Sequence, residues 1–464
     1  MRILYTLLLA VLLIVYAKVL IKVLRNSAGL TPLLGWMIGL AYFVLGPLVI
    51  MTLNGGFELP AAYQVDNRWA TVDLTNTKFL LPYLVIWASL LSSSLVVYIF
   101  FPSVRQDDKS IYSLSRKKLE RALLICMAIA AAIWALQIWL VGGIAQFLVS
   151  HWYERGEDLF QRYGDSYVLL AQITLANQLI YTGTAALYTS CGLKDRDTKP
   201  WFTALIIFFF LCSIVMTGNR IFFASYLLAC FTSCWLLQRR KMIAMMLALA
   251  PVLVLVFSVW SSVRHDLSKI QDSVDTYTDS DYGNRTVTSL INVTEGMSVM
   301  LLLHIINDFG NRYEFLDGLT YSRTFTALIP RRIYPHKPEN FTLVLAKIYQ
   351  PDVTTSLNAT AVGEMYANFG PLTLCFFPLL TLGVLKLNHW ALRRQQAHPL
   401  LPAMVFVLLE WVARGTVADN FIHFVLALVL ISALRFEKGL RLVRGVGIHS
   451  GFALNPLSGT LPVS

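Results

Sequence analysis

The sequence predicts an all-α protein that crosses a membrane many times, and three observations predict it. Hydrophobic residues make up 56% of the 464 positions and charged residues 14%, whereas soluble domains carry about 25% charged residues. The apolar residues gather in runs near the roughly 20-residue length that spans a bilayer core as a helix. The basic residues sit in short tracts between those runs, as in RRK at 239–241 and SRKKLER at 115–121, which is how cytoplasmic loops of polytopic proteins are marked. The net charge of +11 therefore reads as membrane orientation, and no single basic field suggests nucleic acid.

Taken in order, spans are predicted at 3–21, 31–51, 79–100, 122–141, 166–190, 201–217, 221–237, 242–261, 371–386, 398–414 and 416–434, eleven in all, with a twelfth if the large loop hides one. The first run imitates a signal peptide, but it lacks a small-residue cleavage site and further spans follow, so it is read as a transmembrane helix. The six cysteines fall within or beside apolar runs with no CxxC pair, the habit of buried structural thiols rather than of a zinc or disulfide framework.

Charge sets the orientation. The links at 102–121 (net +3), 191–200 (net +1) and 238–241 are positive, and they alternate with links at 52–78 (net −1) and 142–165 (net −2). The N-terminus is accordingly expected outside and the C-terminus inside, with Arg2 a small vote against. Four regions result: a bundle of eight spans over 1–261, a large extracytoplasmic loop over 262–370, three further spans over 371–435, and a cytoplasmic tail over 436–464. The loop holds nine Lys or Arg and twelve Asp or Glu, so it is charged and balanced where the rest is apolar. Its apolar core around 299–306 is too short for a full span and predicts a surface-lying or re-entrant helix.

No GxxxxGK[ST] and no GxGxxG between strand and helix is present, and no cytoplasmic loop is large enough for a nucleotide-sugar domain. An enzyme of this build draws its substrate from the membrane, where the activated groups are lipid phosphates and pyrophosphates, and those call for arginine or lysine at the outer surface. Basic residues on the outer side are informative because the orientation rule disfavours them there. Arg220 closes the short turn MTGNR, Arg264 follows a span, and Arg414 precedes the turn GTVAD. Arg331, Arg332 and Lys337 lie in LIPRRIYPHKPENF, where Pro330, Pro335 and Pro338 stiffen the backbone and present the cations on an extended frame. The competing reading for each is a residue that snorkels to headgroups, caps a helix C-terminus or anchors the loop at the interface; Arg264, Arg285 and Arg323 fall under it first.

Acidic candidates are Glu295, Asp308, Glu364, Glu410 and Asp419. Glu410 stands four residues before Arg414 on one helical face and is expected to pair with it. Glu364, in TAVGEMYANFGPL just before a span, is placed to enter a groove from the outer edge. His304 and His336 are the histidines considered for proton transfer, His304 equally as a satisfied core residue.

These residues carry a resemblance. The stretch GGIAQFLVSHWYERGEDLFQRYG at 142–164, the MTGNR turn at 216–220, LIPRRIYPHKPENF at 328–341 and TAVGEMYANFGPL at 360–372, in that order, resemble the Wzy-type polymerases of O-antigen and related surface polysaccharides over roughly residues 120–435. Here the turn reads GNR in place of glycine-serine-arginine, and the first 110 residues contribute only spans. The resemblance implies a GT-C-like membrane glycosyltransferase of the bacterial inner membrane. It would join undecaprenyl-pyrophosphate-linked repeat units at the periplasmic face, with no cofactor or metal and with a Wzx-type flippase and a chain-length regulator as partners. It implies Arg331, Arg332, Lys337, Arg220, Arg264 and Arg414 as pyrophosphate or glycan ligands and Glu364 or His336 as general base. An O-antigen-ligase-like transferase and a non-catalytic or transport component of the assembly machinery are the alternatives.

Overall fold

The computed structural model describes residues 1–27, 29–58, 71–101, 115–153, 157–195, 199–249, 296–329, 332–350, 357–395 and 397–433. Over these the chain is helical apart from one small hairpin. Helix α1 (Arg2–Asn26) leads to α2 (Pro32–Leu40), which runs through a π-helical turn at Ala41–Leu45 into α3 (Gly46–Asn54). The widened turn precedes Pro47, which has no N–H to donate back along the helix. Strands β1 (Gly56–Glu58) and β2 (Thr71–Asp73) pair antiparallel. Then come α4 (Leu80–Phe100), α5 (Arg116–Val141), α6 (Ile144–Tyr153), α7 (Glu157–Asp195), α8 (Pro200–Thr217) and α9 (Ile221–Leu236). After a helical run over 240–249, the described part of the large loop supplies α10 (Gly296–Asp308), α11 (Leu319–Thr326), α12 (Phe341–Tyr349) and α13 (Thr360–Phe369). The chain returns through α14 (Thr373–Arg394), α15 (Leu401–Arg414) and α16 (Val417–Ala433).

This is an all-α polytopic membrane protein. Six stretches among the described residues are long and apolar enough to cross a bilayer: Arg2–Asn26, Pro32–Asn54, Thr77–Phe100, Arg116–Val141, Pro200–Thr217 and Thr360–Arg394. Eleven were expected from the sequence. The difference has a physical origin: α9, α15 and α16 have 16, 14 and 17 residues, short of a full crossing, and α7 contains many polar residues. The span expected at 242–261 lies mostly outside the described residues, as does the tail from 434.

At the centre of the bundle is α15, in which every residue but Arg414 is buried. It is gripped through glycines. A Cβ on Gly35 of α2 would run into the Phe406 carbonyl, and one on Gly39 would sit 2.8 Å from the Glu410 Cα. These two glycines form a GxxxG step, which lets backbones approach closely where lipid offers no hydrophobic drive for helix association. On another side Gly183 of α7 brings its position within 3.1 Å of the Met404 Cα.

The helices have two distinct ends. At one, Arg2 donates to the Asn54 carbonyl at 2.8 Å, a cation closing the C-terminus of α3, and the hairpin meets α10, where His304 Nε2 lies 3.2 Å from the Thr71 carbonyl and Phe79 packs on the imidazole edge-on. His304 is thus a satisfied core histidine. The short loop helix expected on the surface or re-entrant is α10, and it is buried along most of its length. At the other end Lys199 bridges Glu120 at 2.8 Å, Arg116 stacks on Tyr188, and Arg239 donates to the Leu193 carbonyl at 2.7 Å. The GGI stretch is the corner between α5 and α6, with Gly142 and Gly143 at φ 93° and 138°. None of the six cysteines is paired.

The glycine contact generates a direct test. Gly35→Ala forces α2 off α15 and is expected to cost about 1–3 kcal/mol, read as a lower unfolding midpoint in detergent. Gly383→Ala on α14, whose methyl meets no heavy atom within 4 Å, is expected to leave the midpoint in place. Equal midpoints for the two variants would refute the tight contact.

Candidate functional site

Two tight turns and the loop helices enclose one cavity. Its volume is about 350 Å³, at the lower end of the range of small-ligand sites. Arg220 and Arg414, both singled out from sequence as outer-side arginines in tight turns, line it. The remaining wall includes Thr217, Asn219, Ser298, Asn340, Thr342, Asn358, Trp411, Asp419, Asn420 and His423.

The first turn is built by the MTGNR sequence. Gly218 ends α8 at φ 64°, a left-handed conformation that glycine adopts without penalty. Asn219 Oδ1 then accepts the Ile221 N–H at 3.1 Å, which makes the start of α9 rigid and leaves Arg220 at its N-cap position. The second turn joins α15 to α16. Arg414 ends α15, where a cation complements the helix dipole, and Gly415 follows at φ 126°. A Cβ there would lie 3.3 Å from the Thr360 backbone. Thr416 and Thr360 both hold positive φ, at 55° and 62°, a strained state for a β-branched residue that costs on the order of 1–3 kcal/mol each.

Asp419, in the first turn of α16, organises the loop side of the cavity. Its Oδ1 accepts from Arg323 Nε at 2.7 Å and its Oδ2 accepts from the Asn340 amide. Arg323 also donates to the Pro338 carbonyl at 3.0 Å. Through these bonds the proline-rich segment is tied to the cavity at its Pro338–Asn340 end. One turn along α16, His423 Nε2 lies 2.6 Å from Gln172 Oε1 of α7, while its buried Nδ1 has no hydrogen-bond partner among the described residues. Trp411 donates to Ser225 at 3.1 Å and packs against Phe222 at 5.0 Å, fixing the α9 wall.

The other predicted residues are placed differently. Glu364 is buried beside the cavity without lining it: Oε2 accepts the Val417 N–H at 2.8 Å, capping the start of α16, and Oε1 accepts from Thr320 at 3.2 Å. Asn368 completes this knot through Thr320 and the Glu364 carbonyl. So engaged, the carboxylate braces the turn. His336 is exposed and is not part of the cavity wall, and Arg332 is exposed beside it. Lys337 folds back to donate to the Ala327 and Ile329 carbonyls, the second at 3.0 Å, and so closes the loop that carries both. Glu410 does not form the expected pair with Arg414; both its oxygens are buried with no hydrogen-bond partner among the described residues. Arg264, Arg285, Glu295, Pro330 and Arg331 lie outside the described residues. Among the described residues no group of three metal-ligating side chains is found.

Sequence reasoning missed His423, Asn340, Asn358 and Trp411, and it ranked Arg323 low. The available signal was the spacing of Asp419 and His423, four apart and hence on one helical face, directly after the GTVAD turn.

Comparison with protein-family models, curated proteins and solved structures returned no match for this chain.

The Glu364 knot generates a stability prediction. Glu364→Ala removes the acceptor of two donors and is expected to cost about 1–3 kcal/mol. Glu364→Gln, which keeps an acceptor oxygen, is expected to cost clearly less. Thermal unfolding in detergent that ranks the two variants equally would show that the acceptor geometry does not hold the turn.

Proposed function

We propose that this protein is a membrane glycosyltransferase that polymerises undecaprenyl-pyrophosphate-linked oligosaccharide repeat units. The observation that supports this reading most is the convergence of Arg220 and Arg414 on one cavity, each presented by a rigid turn at the same end of the bundle. Two guanidinium groups from separate helix ends match a pyrophosphate, which offers more than one oxygen edge to planar donors. The amide and hydroxyl groups opposite, with Trp411, suit a sugar.

Sidedness follows from charge. The far end of the bundle bears Arg116, Lys117, Lys118, Arg121, Lys199, Arg239, Arg240 and Lys241, which the orientation rule assigns to the cytoplasm. The cavity end is then periplasmic, together with the loop 262–370. On this reading α7, α9, α15, α16 and the run beginning at 240 complete eleven crossings of a GT-C-like bundle.

The chemistry asks little of covalent catalysis. A hydroxyl at the non-reducing end of one unit attacks C1 of the reducing-end sugar on the growing chain, and undecaprenyl pyrophosphate leaves. Arg220 and Arg414 hold the pyrophosphate and meet charge as it grows on the leaving oxygen. Arg332, exposed on the loop anchored through Pro338 and Asn340, grips the lipid carrier, with Arg331 its partner in the sequence-based proposal. The turns and the Glu364 brace keep the two reacting lipids aligned, which is where most of the acceleration arises.

Purified full-length protein in liposomes, given only its lipid-linked repeat unit, is expected to form a ladder of products on gels. Arg220→Ala and Arg414→Ala are each expected to lower the rate by roughly 100-fold or more. Strict dependence on a second acceptor would indicate a ligase, and no turnover in any format would indicate a non-catalytic component.

A further inference from the structure

We infer that His423 is the proton acceptor for the attacking sugar hydroxyl, a catalytic role resting on the polymerase reading above. Gln172 presents Oε1 to His423 Nε2 at 2.6 Å. An amide oxygen only accepts, so Nε2 carries the ring proton and Nδ1 carries the lone pair. That lone pair has no partner among the described residues although the side chain is 6% exposed, and His423 lines the cavity shared with Arg220 and Arg414. A buried, oriented, unsatisfied acceptor in a polar cavity is what a hydroxyl substrate would complete.

The imidazolium that follows is a buried charge, and one neighbour counters part of its cost. As the hydroxyl O–H bond breaks, its proton passes to Nδ1. The oxygen forms the new bond to C1, and the C1–oxygen bond to the pyrophosphate breaks with its electron pair on the phosphate oxygen. The ring becomes an imidazolium and afterwards releases its proton to solvent. Asp419, one turn earlier on α16, offsets part of what burial costs that cation, while Arg323 from α11 opposes it and holds Asp419 in place. Arg220 and Arg414 line the same cavity, and α7 contributes the neutral Gln172. The cavity therefore brings a base on α16 together with anion ligands from two turns, the two kinds of group that a displacement at C1 uses.

The test is the single-turnover rate of full-length protein in liposomes, with lipid-linked repeat unit as the probe, measured as a function of pH. His423→Gln is expected to lower the rate at least about 100-fold while binding of the lipid substrate is kept. Gln172→Glu places an anion on Nε2, makes Nδ1 more basic, and is expected to move the acid limb of the profile to higher pH. A purely structural histidine would scale the profile without moving that limb. Ladder formation by wild-type protein, with an unchanged rate for His423→Gln or an unmoved limb for Gln172→Glu, would overturn the inference alone. Absence of any product from wild-type protein would overturn the polymerase reading and this inference with it.

Discussion

The close approach of α15 to the backbones of α2 and α7 is the constraint on which the remaining structure depends. Lipid tails solvate leucine as well as a neighbouring helix does, so association rests on dispersion contacts, and these require surfaces that meet without gaps. Gly35, Gly39 and Gly183 remove the side chains that would hold the helices apart. The consequence is a short, fully buried helix whose end is fixed in space, and that end is Arg414. Moving α15 by even an ångström would move Arg414, the strained Gly415–Thr416 turn and the first turn of α16 together.

The cavity is assembled from pieces far apart in the chain, and each is locked by a different device. Asn219 fixes the first turn through a local hydrogen bond, and Glu364 fixes the second from α13. Asp419 fixes the loop by drawing Arg323 and Asn340 onto α16. The strain at Thr360 and Thr416 is sustained because those neighbours over-determine it. The basic loop LIPRRIYPHKPENF is then tethered at its C-terminal end, folded on itself by Lys337, and carries Arg332 at an exposed edge.

Much of this was legible in the sequence because it is local. Composition and run length gave an all-α polytopic chain, and the short turns MTGNR and GTVAD marked Arg220 and Arg414 as residues held at tight corners. What was hidden depends on tertiary pairing. GWMIG at 35–39 reads as ordinary span until Phe406 and Glu410 are laid against it. The bracing by Glu364 emerges only when Val417 and Thr320 arrive from elsewhere. His423 sits in an apolar run, FIHFV, and its chemistry appears only once Gln172, 251 residues away, claims Nε2. Run length alone did not reveal how short some helices are: α15 has 14 residues and meets α16 in a turn tucked against α13.

The central claim is that the lipid pyrophosphate is bound in the cavity between the two turns. Photocrosslinking with an undecaprenyl pyrophosphate analogue carrying its reactive group next to the phosphates, mapped by peptide mass spectrometry, tests this most directly. The account predicts labelling concentrated at 217–222 and 411–416. Labelling confined to the opposite end, around Arg116, Lys199 and Arg239, would contradict it.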